Sequence, residues 1–448
     1  MGEEKPTINV LVDDEFTRQL KRSYSLVEPL VLSFSGKDRN LHDDLQKIEA
    51  AAGPTEPLAL DLYRIALVVF VWDIRTERSI VPRQLHALIS VSNKDKWDGI
   101  RSHLEATLRF LTGDTFTFHF VQGDRSERHA SSEPARLRHC VVLFSGGLDS
   151  LAGVKWAIDN NFTPVLISHP QANVIDRTQE QIVRGLNSAI ASPLEWHQIR
   201  ATPERGKNLR GETSTQFSRS FLYLSIATIF ALGLRIENIF ICENGVIALN
   251  IPLTQGRVYD STKTVHPRFL TKYQELLNTL FEDRLTVANP FISRTKGEVV
   301  ELLNADVFRE LVPLTISCSE LQRLWHTGVK TSKVRHCGIC LPCVIRRIAT
   351  HHAGIANDAA YSKDIEGDLT RIPDEGKKLL FELADFVRAI DRLSNVDEAF
   401  SEFPEFWVEG YDPSVLFEMS KRQVAQFKTY AKEKLHETSK SKLGIASV

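Results

Sequence analysis

The stretch Val141-Val142-Leu143-Phe144-Ser145-Gly146-Gly147-Leu148-Asp149-Ser150 decides how this chain folds. Its apolar first part is typical of a buried strand, and the glycine pair predicts a tight turn that opens a helix. Glycine lets the backbone come close to a ligand, and the first turn of a helix leaves N–H groups free to hold an anion. The stretch therefore predicts a phosphate-binding turn. The alternative is a glycine turn that only joins a strand to a helix.

This turn differs from a Walker P-loop. That loop requires lysine and then serine or threonine directly after its last glycine, whereas Val154 and Lys155 follow Gly153 here. The hydroxyl groups of Ser145 and Ser150 instead add to a nest of backbone amides.

The composition is that of a globular protein with two or three structural units. The chain has 448 residues, of which 42% are hydrophobic and 25% charged. A net charge of −2 gives no sign of a polyanionic partner, so we expect no nucleic acid. We find neither an apolar stretch of about eighteen residues nor a leader, and we expect a cytoplasmic protein without a membrane partner.

Apolar periodicity predicts an α/β fold in which helices flank a parallel sheet. After the turn region, strands alternate with helices that open near Leu148, Ile175 and Phe217. The predicted strands cover residues 141–144, 164–168, 194–199 and 238–242. Such sheets bind ligands outside the carboxyl ends of their strands, which is where the turn falls.

We predict three domains. Residues 1–135 form an N-terminal α/β accessory domain, with a helix over 97–111 and a strand over 115–120 but no recognisable chemistry. After a polar linker over 122–138, residues 139–355 form the main domain. Residues 365–448 form a helical C-terminal extension whose polar tail, from Lys432, is expected to fray.

Four of the six cysteines lie close together, as Cys318, Cys337, Cys340 and Cys343. Four thiolates make a closed tetrahedral zinc site, whose expected task is structural. An iron–sulfur cluster, a redox-active Cys-x-x-Cys pair and unliganded thiols are the alternatives. Cys140 and Cys242 stand in apolar strand contexts and are expected to be core residues.

The segment from Ser145 to Ser150 resembles the PP-loop of the N-type ATP pyrophosphatases, which have an adenine-nucleotide alpha hydrolase-like fold. The resemblance implies that the loop grips the pyrophosphate of ATP while an oxygen nucleophile attacks the α-phosphorus. ATP and Mg²⁺ would then be cofactors, with Asp149 holding Mg²⁺ or orienting the loop. The ATP-binding positions would be Ser145, Gly146, Gly147, Leu148, Asp149 and Ser150.

The loop and the cysteines together resemble the 7-cyano-7-deazaguanine synthases, the QueC-like branch of these enzymes, over residues 139–350. The resemblance implies nucleotide contacts from Gln171 and Glu243. It implies catalytic roles for Asp149, Arg219 and Lys296, since cations on the triphosphate would offset the developing charge. The alternative for Arg219 and Lys296 is a solvated cation at a helix start.

Members of this branch adenylate a 7-deazaguanine carboxylate, displace AMP with ammonia and dehydrate the amide to a nitrile. The resemblance thus implies a carbon–nitrogen ligase that releases AMP and pyrophosphate. This chain departs from the family pattern at Ser168-His169-Pro170 and over 243–250, where the base should bind.

The added N-terminal unit and helical tail resemble the longer QueC-like proteins of anti-phage operons, the Qat type especially. That resemblance implies transfer to an amine of a partner protein, which the extra unit would dock, and a homodimer is compatible with it. Two other functions remain open: a tRNA-thiolating PP-loop enzyme, and a non-catalytic nucleotide-binding scaffold of a defence complex.

Overall fold

The structure is a computed structural model that describes residues 5–78, 81–124, 136–169, 173–190, 192–203, 217–251, 263–320, 336–355 and 360–444. The strands are β1 (Thr7–Val12), β2 (Ser25–Leu32), β3 (Leu41–His42), β4 (Gln84–Val91), β5 (Thr115–Gln122), β6 (His139–Leu143), β7 (Thr163–Ser168), β8 (Glu195–Gln198), β9 (Thr202–Pro203), β10 (Asn238–Phe240) and β11 (Thr286–Ala288). The helices are α1 (Glu15–Leu20), α2 (Leu45–Ala52), α3 (Pro57–Arg75), α4 (Lys94–Thr112), α5 (Leu148–Asp159), α6 (Asn173–Ala189), α7 (Arg219–Gly233), α8 (Gly245–Leu249), α9 (Pro267–Phe281), α10 (Lys296–Glu301), α11 (Asp306–Leu311), α12 (Leu341–His352), α13 (Asp374–Arg392), α14 (Val396–Glu402), α15 (Pro413–Lys434) and α16 (Glu437–Leu443).

The main sheet has the strand order β11-β10-β6-β7-β8, and every neighbouring pair is parallel. Strand β6 is central, with Val141 beside Val165 of β7 and Ile239 of β10. Strands β7 and β8 therefore lie on one side of β6, and the later strands β10 and β11 lie on the other. The carboxyl end of β6 is therefore the switch point of the sheet, the position that binds ligands in open α/β folds. The predicted fold class, a parallel sheet flanked by helices, is confirmed.

A second parallel sheet precedes the main one, in the order β2-β1-β4-β5. Its helix α3 packs against α7 of the main sheet, and α4 packs against α9. Strand β3 also pairs with β9 in an antiparallel bridge. As a result, buried residues of both parts, such as Tyr63 and Phe221, belong to one continuous hydrophobic cluster. The three-domain division remains a prediction, and the first two predicted domains share a core.

The C-terminal helices α13 to α16 enclose a separate hydrophobic cluster that also takes in residues of α8 and α12. The expectation that the tail frays from Lys432 is wrong for its described residues, because α16 packs against α13. Leu435 and Leu443 are buried, and the carbonyl of Leu443 accepts a hydrogen bond from Arg388 at 2.9 Å. Most of the predicted linker, residues 125–135, lies outside the described residues. Among the described helices, none has both the length and the apolar character needed to cross a membrane.

Candidate functional site

The glycine turn lies at the carboxyl end of β6 and leads straight into α5. Gly146 has φ +83°, in the left-handed region that glycine tolerates best, and Gly147 caps the helix. A Cβ atom on Gly146 would lie 3.2 Å from Cγ of Gln179, which is tight contact. The turn therefore needs glycine for both its conformation and its packing.

Neighbouring elements hold the turn in place. The side-chain amide of Gln179, on α6, donates to the carbonyl of Ser145 at 3.1 Å. The backbone N–H of Ile316 donates to the carbonyl of Gly146 at 3.1 Å, and the Ser150 hydroxyl donates to that of Gly147 at 3.0 Å. Since these carbonyls have partners, the turn is preorganised rather than shaped by a ligand.

A buried ion pair lies beside the turn. Asp149, in the first turn of α5, is 5% exposed and pairs with the ammonium group of Lys296, which begins α10 and is 7% exposed. Asn244 donates its side-chain amide to Oδ2 of Asp149 at 3.4 Å and to Oε1 of Glu243 at 3.0 Å. Two carboxylates and one ammonium therefore meet at the end of the central strand.

The pKa of Glu243 is raised well above its usual value. About 28% of this side chain borders open space, yet protein atoms surround the carboxyl group, and this burial is the main cause. The negative charge of Asp149 acts in the same direction, whereas Lys296, 3.9 Å away, opposes it. Ionisation of Glu243 would place two negative charges beside one positive charge, so a cation bound here would offset the repulsion that raises this pKa.

The residues present fit a magnesium ion. Oδ1 of Asp149 is buried and accepts no hydrogen bond from any group in the part of the chain that the structure describes. Carboxylate oxygens are the ligands that Mg²⁺ prefers, usually one or two of them together with substrate phosphates. Asp149 and Glu243 offer such a pair.

A cavity of about 220 Å³ lies beside the turn and the charged cluster formed by Asp149, Glu243 and Lys296. The turn and the cluster form one side, and residues near the cysteines form the other. Its lining consists of Ser145, Gly147, Leu148, Asp149, Ser150, Cys242, Glu243, Ile247, Lys296, Ile316, Ser317, Pro342 and Ile345.

The four clustered cysteines are brought together as predicted. Their Sγ atoms all lie within 4.8 Å of one another, with Cys337 to Cys343 at 3.9 Å and Cys318 to Cys340 at 4.0 Å. Tetrahedral zinc with Zn–S bonds of about 2.3 Å would separate its sulfur ligands by about 3.8 Å. The cluster thus has the ligand set and the spacing that zinc requires.

The cysteine cluster supports one wall of the cavity. Ser317, next to Cys318, lines the cavity and accepts a hydrogen bond from the buried Arg346 at 3.2 Å. Arg346 also donates to the Thr315 hydroxyl at 2.7 Å, and burial lowers the pKa of its guanidinium. Because Pro342 of the cysteine segment lines the cavity too, a metal bound there would fix this wall.

Not every expected residue lies at the cavity. Arg219 lies against Tyr223, whose hydroxyl accepts its Nε–H at 3.0 Å, and it is absent from the described lining. Gln171 lies outside the described residues. In contrast, two residues of the site, Asn244 and Gln179, were not predicted from the sequence. Asn244 stands two residues after the predicted strand over 238–242, a position that could have indicated it, whereas no sequence signal marks Gln179.

Cys140 and Cys242 are buried, as expected of core residues. Burial raises the pKa of the Cys140 thiol to about 12 and that of the Cys242 thiol well above its usual value. Cys242 also contributes to the cavity wall and would clash with a Cβ on Gly153, at 2.4 Å from its Sγ. Both thiols are therefore poor nucleophiles.

Half of the chain is similar to curated 7-cyano-7-deazaguanine synthases. The protein of Polynucleobacter asymbioticus is 25% identical over 241 residues, which cover 50% of this chain and 92% of that relative. The relatives from Syntrophotalea carbinolica and Citrifermentans bemidjiense are 22% and 23% identical, over 51% and 50% of this chain and 99% of each relative. No protein-family model matches the chain. The similarity leaves half of this chain without a counterpart in these relatives.

Proposed function

We propose that the protein uses ATP to adenylate a carboxylic acid and passes the acyl group to an amine. The observation that carries this proposal is the buried Asp149–Lys296 pair beside a preorganised glycine turn at the sheet's switch point. Its similarity to synthases of 7-cyano-7-deazaguanine supports a deazapurine carboxylate, similar to 7-carboxy-7-deazaguanine, as the acid.

The residues that line the cavity have different roles in the proposed reaction. Backbone amides of the turn and the first turn of α5 bind phosphate oxygens, with help from the Ser145 and Ser150 hydroxyls. Lys296 offsets the negative charge that grows on the departing pyrophosphate. Asp149 and Glu243 hold Mg²⁺, which supplies positive charge to the phosphates when bound.

The proposed reaction has two steps. A carboxylate oxygen bonds to the α-phosphorus of ATP, the bond from that phosphorus to the bridging oxygen breaks, and pyrophosphate leaves. An amine nitrogen then bonds to the acyl carbon, AMP leaves, and the nitrogen loses a proton. The product is an amide, which a second activation would dehydrate to a nitrile if the amine is ammonia.

The four-cysteine cluster is proposed to bind structural zinc, because four thiolates leave no open position for substrate. The resemblance to Qat-type proteins supports a finer proposal. In it the acyl acceptor is an amine of a partner protein in anti-phage defence, and the N-terminal unit docks that partner.

The decisive experiment identifies the products of ATP. Incubation of the protein with ATP, Mg²⁺, ammonium and 7-carboxy-7-deazaguanine should release AMP and pyrophosphate in equal amounts, and omission of the acid should stop the release. Release of ADP and phosphate instead would contradict the proposal.

A further inference from the structure

The C-terminal helix α15 lies against the start of α10, where Lys296 is the first helical residue. A capping box formed by Thr295 and Glu298 begins helix α10. Thr295 accepts the backbone N–H of Glu298 at 3.1 Å, and the Glu298 carboxylate accepts the backbone N–H of Thr295 at 2.9 Å. The backbone of this capping box sets the position of the Lys296 Cα atom, from which the side chain extends toward Asp149.

Three side chains of α15 bind this capping box. Gln423 accepts the backbone N–H of Lys296 at 3.4 Å, and the Gln426 amide donates to the Thr295 hydroxyl at 2.8 Å. Arg422 donates to the Glu298 carboxylate at 2.5 Å. Both glutamines are buried, at 7% and 6% exposed, so water cannot easily replace them.

Close packing restrains the same point. A Cβ atom on Gly297 would lie 2.5 Å from the side-chain oxygen of Gln426 and 2.5 Å from Cδ2 of His352. Helix α10 is therefore held between α15 and α12 with no space for a side chain. A shift of α15 would move the backbone of Lys296.

We propose that Gln423 and Gln426 are positioning residues, through which the C-terminal helix holds the Lys296 ammonium against Asp149 and the phosphates. This inference rests on the proposed function, since it assigns the C-terminal helices to the ATP-cleaving site. Displacement of a charged group by about 1 Å can lower a rate about 10²-fold, so hydrogen bonds remote from the substrate matter here.

The test uses the full-length protein with Gln423→Met or Gln426→Met, which keep the side-chain length and remove the hydrogen bonds. We expect kcat for pyrophosphate release to fall about tenfold or more, while the KM for ATP changes less than about threefold. The turn that binds ATP is untouched in these variants. Gln423→Glu keeps an acceptor for the Lys296 N–H and should retain more activity than Gln423→Met.

Lys428→Ala is the matched control, because Lys428 lies on the same helix but pairs with Asp391 of α13 at 2.5 Å. We expect it to behave like the unaltered protein. The thermal midpoint of each variant shows whether a fall in activity is accompanied by a loss of stability.

The accessibility of the Lys296 amine separates positioning from a structural role. Labelling of Lys296 by an amine-reactive reagent, followed by mass spectrometry, should become faster in Gln426→Met and stay slow in Lys428→Ala.

Unchanged kcat and unchanged Lys296 labelling in both glutamine variants would overturn the inference. Absence of pyrophosphate release from the unaltered protein would instead contradict the proposed function, and the labelling rates would still test the positioning of Lys296. If a methionine variant does not fold, Arg422→Ala, at a residue whose side chain is 45% exposed, tests the same contact with the capping box.

Discussion

The two carboxylate oxygens of Asp149 have different surroundings. One oxygen pairs with Lys296, and the other is buried without a hydrogen-bond donor among the described residues. An unpaired buried acceptor costs free energy. A bound cation or ligand would offset this cost, so the unpaired oxygen supports a binding role for Asp149.

Asp149→Asn should remove the charge and keep the shape. We expect kcat for AMP release to fall about 10²-fold or more, because the cation and Lys296 lose their partner. The variant should still fold, but with a lower thermal midpoint, because the substitution breaks a buried ion pair. Asp159→Asn is the control, since Asp159 ends the same helix and pairs with Lys155 at the surface. Equal activity of both variants would remove Asp149 from the site.

Glu243 makes stability depend on pH in a defined direction. Folding raises the pKa of this group, so above its ordinary value, about 4.3, the folded state binds more protons than the unfolded state. Its contribution therefore lowers stability as pH rises. The Glu243→Gln side chain cannot ionise. The thermal midpoint of this variant should therefore rise relative to that of the unaltered protein as the pH increases from 4 to 8. A constant difference across this range would contradict the raised pKa.

At the residue scale, the sequence predicted two local arrangements, and the structure shows both. They are the glycine turn between a strand and a helix, and the proximity of the four cysteines. The contacts of Gln179 and Gln426 could not be predicted, because their partners lie 34 and 131 residues away along the chain, whereas the position of Asn244 just after a predicted strand could have indicated it. The roles of Arg219 and Gln171 remain predictions.

At the scale of single elements, the cysteine cluster packs against Ile316, which lies in a loop, and Cys340 caps helix α12. Gly338 has φ +90°, and a Cβ there would lie 2.0 Å from the carbonyl of Lys363, so the cysteine turn also packs against the start of the C-terminal region. A bound metal would therefore secure both the cavity wall and this junction.

Cys340→Ser should lower the zinc content from one ion per chain to well below one and destabilise the protein. Structural zinc can contribute on the order of 10 kcal/mol to folding, so we expect a large fall in the thermal midpoint. Zinc content is measured by elemental analysis. Cys140→Ala, in a buried strand away from the cluster, should keep its zinc. A stable, metal-free preparation of the unaltered protein would contradict the assignment.

Four of the five described main-sheet strands were predicted, because apolar runs that alternate with amphipathic helices leave a strong local signal, whereas the short edge strand β11 was missed. Helix α16 was not predictable. Leu435 and Leu443 stand apart in a polar segment, and their burial depends on α13, whose partner residues lie far away in sequence. The edge strand β2 was missed as well, and three of its apolar residues, Leu26, Val27 and Val31, are exposed.

At the scale of the whole molecule, the two sheets are connected through buried charge as well as apolar packing. Asp73, at the end of α3, pairs with Arg83 at 2.6 Å. It also accepts hydrogen bonds from the backbone and the hydroxyl of Ser218, at 2.9 Å each, just before α7. Local periodicity cannot reveal such a contact, so the shared core could not be predicted.

Asp73→Asn should lower the free energy of unfolding by about 3 kcal/mol, because it breaks a buried ion pair and leaves Arg83 undercompensated. Urea unfolding followed by tryptophan fluorescence and by far-UV circular dichroism gives this value. Asp374→Asn, at an almost fully exposed residue, is the control and should change little. If the two sheets were independent, the two probes would give separate transitions and only one would shift.

The central claim is that the phosphates of ATP bind the turn from Ser145 to Ser150. A crystal structure with Mg²⁺ and an ATP analogue that carries a methylene group between its α- and β-phosphates tests it most directly. The account predicts β- and γ-phosphates against the amides of Gly146 to Leu148, with the Lys296 ammonium within hydrogen-bonding distance. An analogue bound elsewhere, or a turn blocked by side chains, would contradict it.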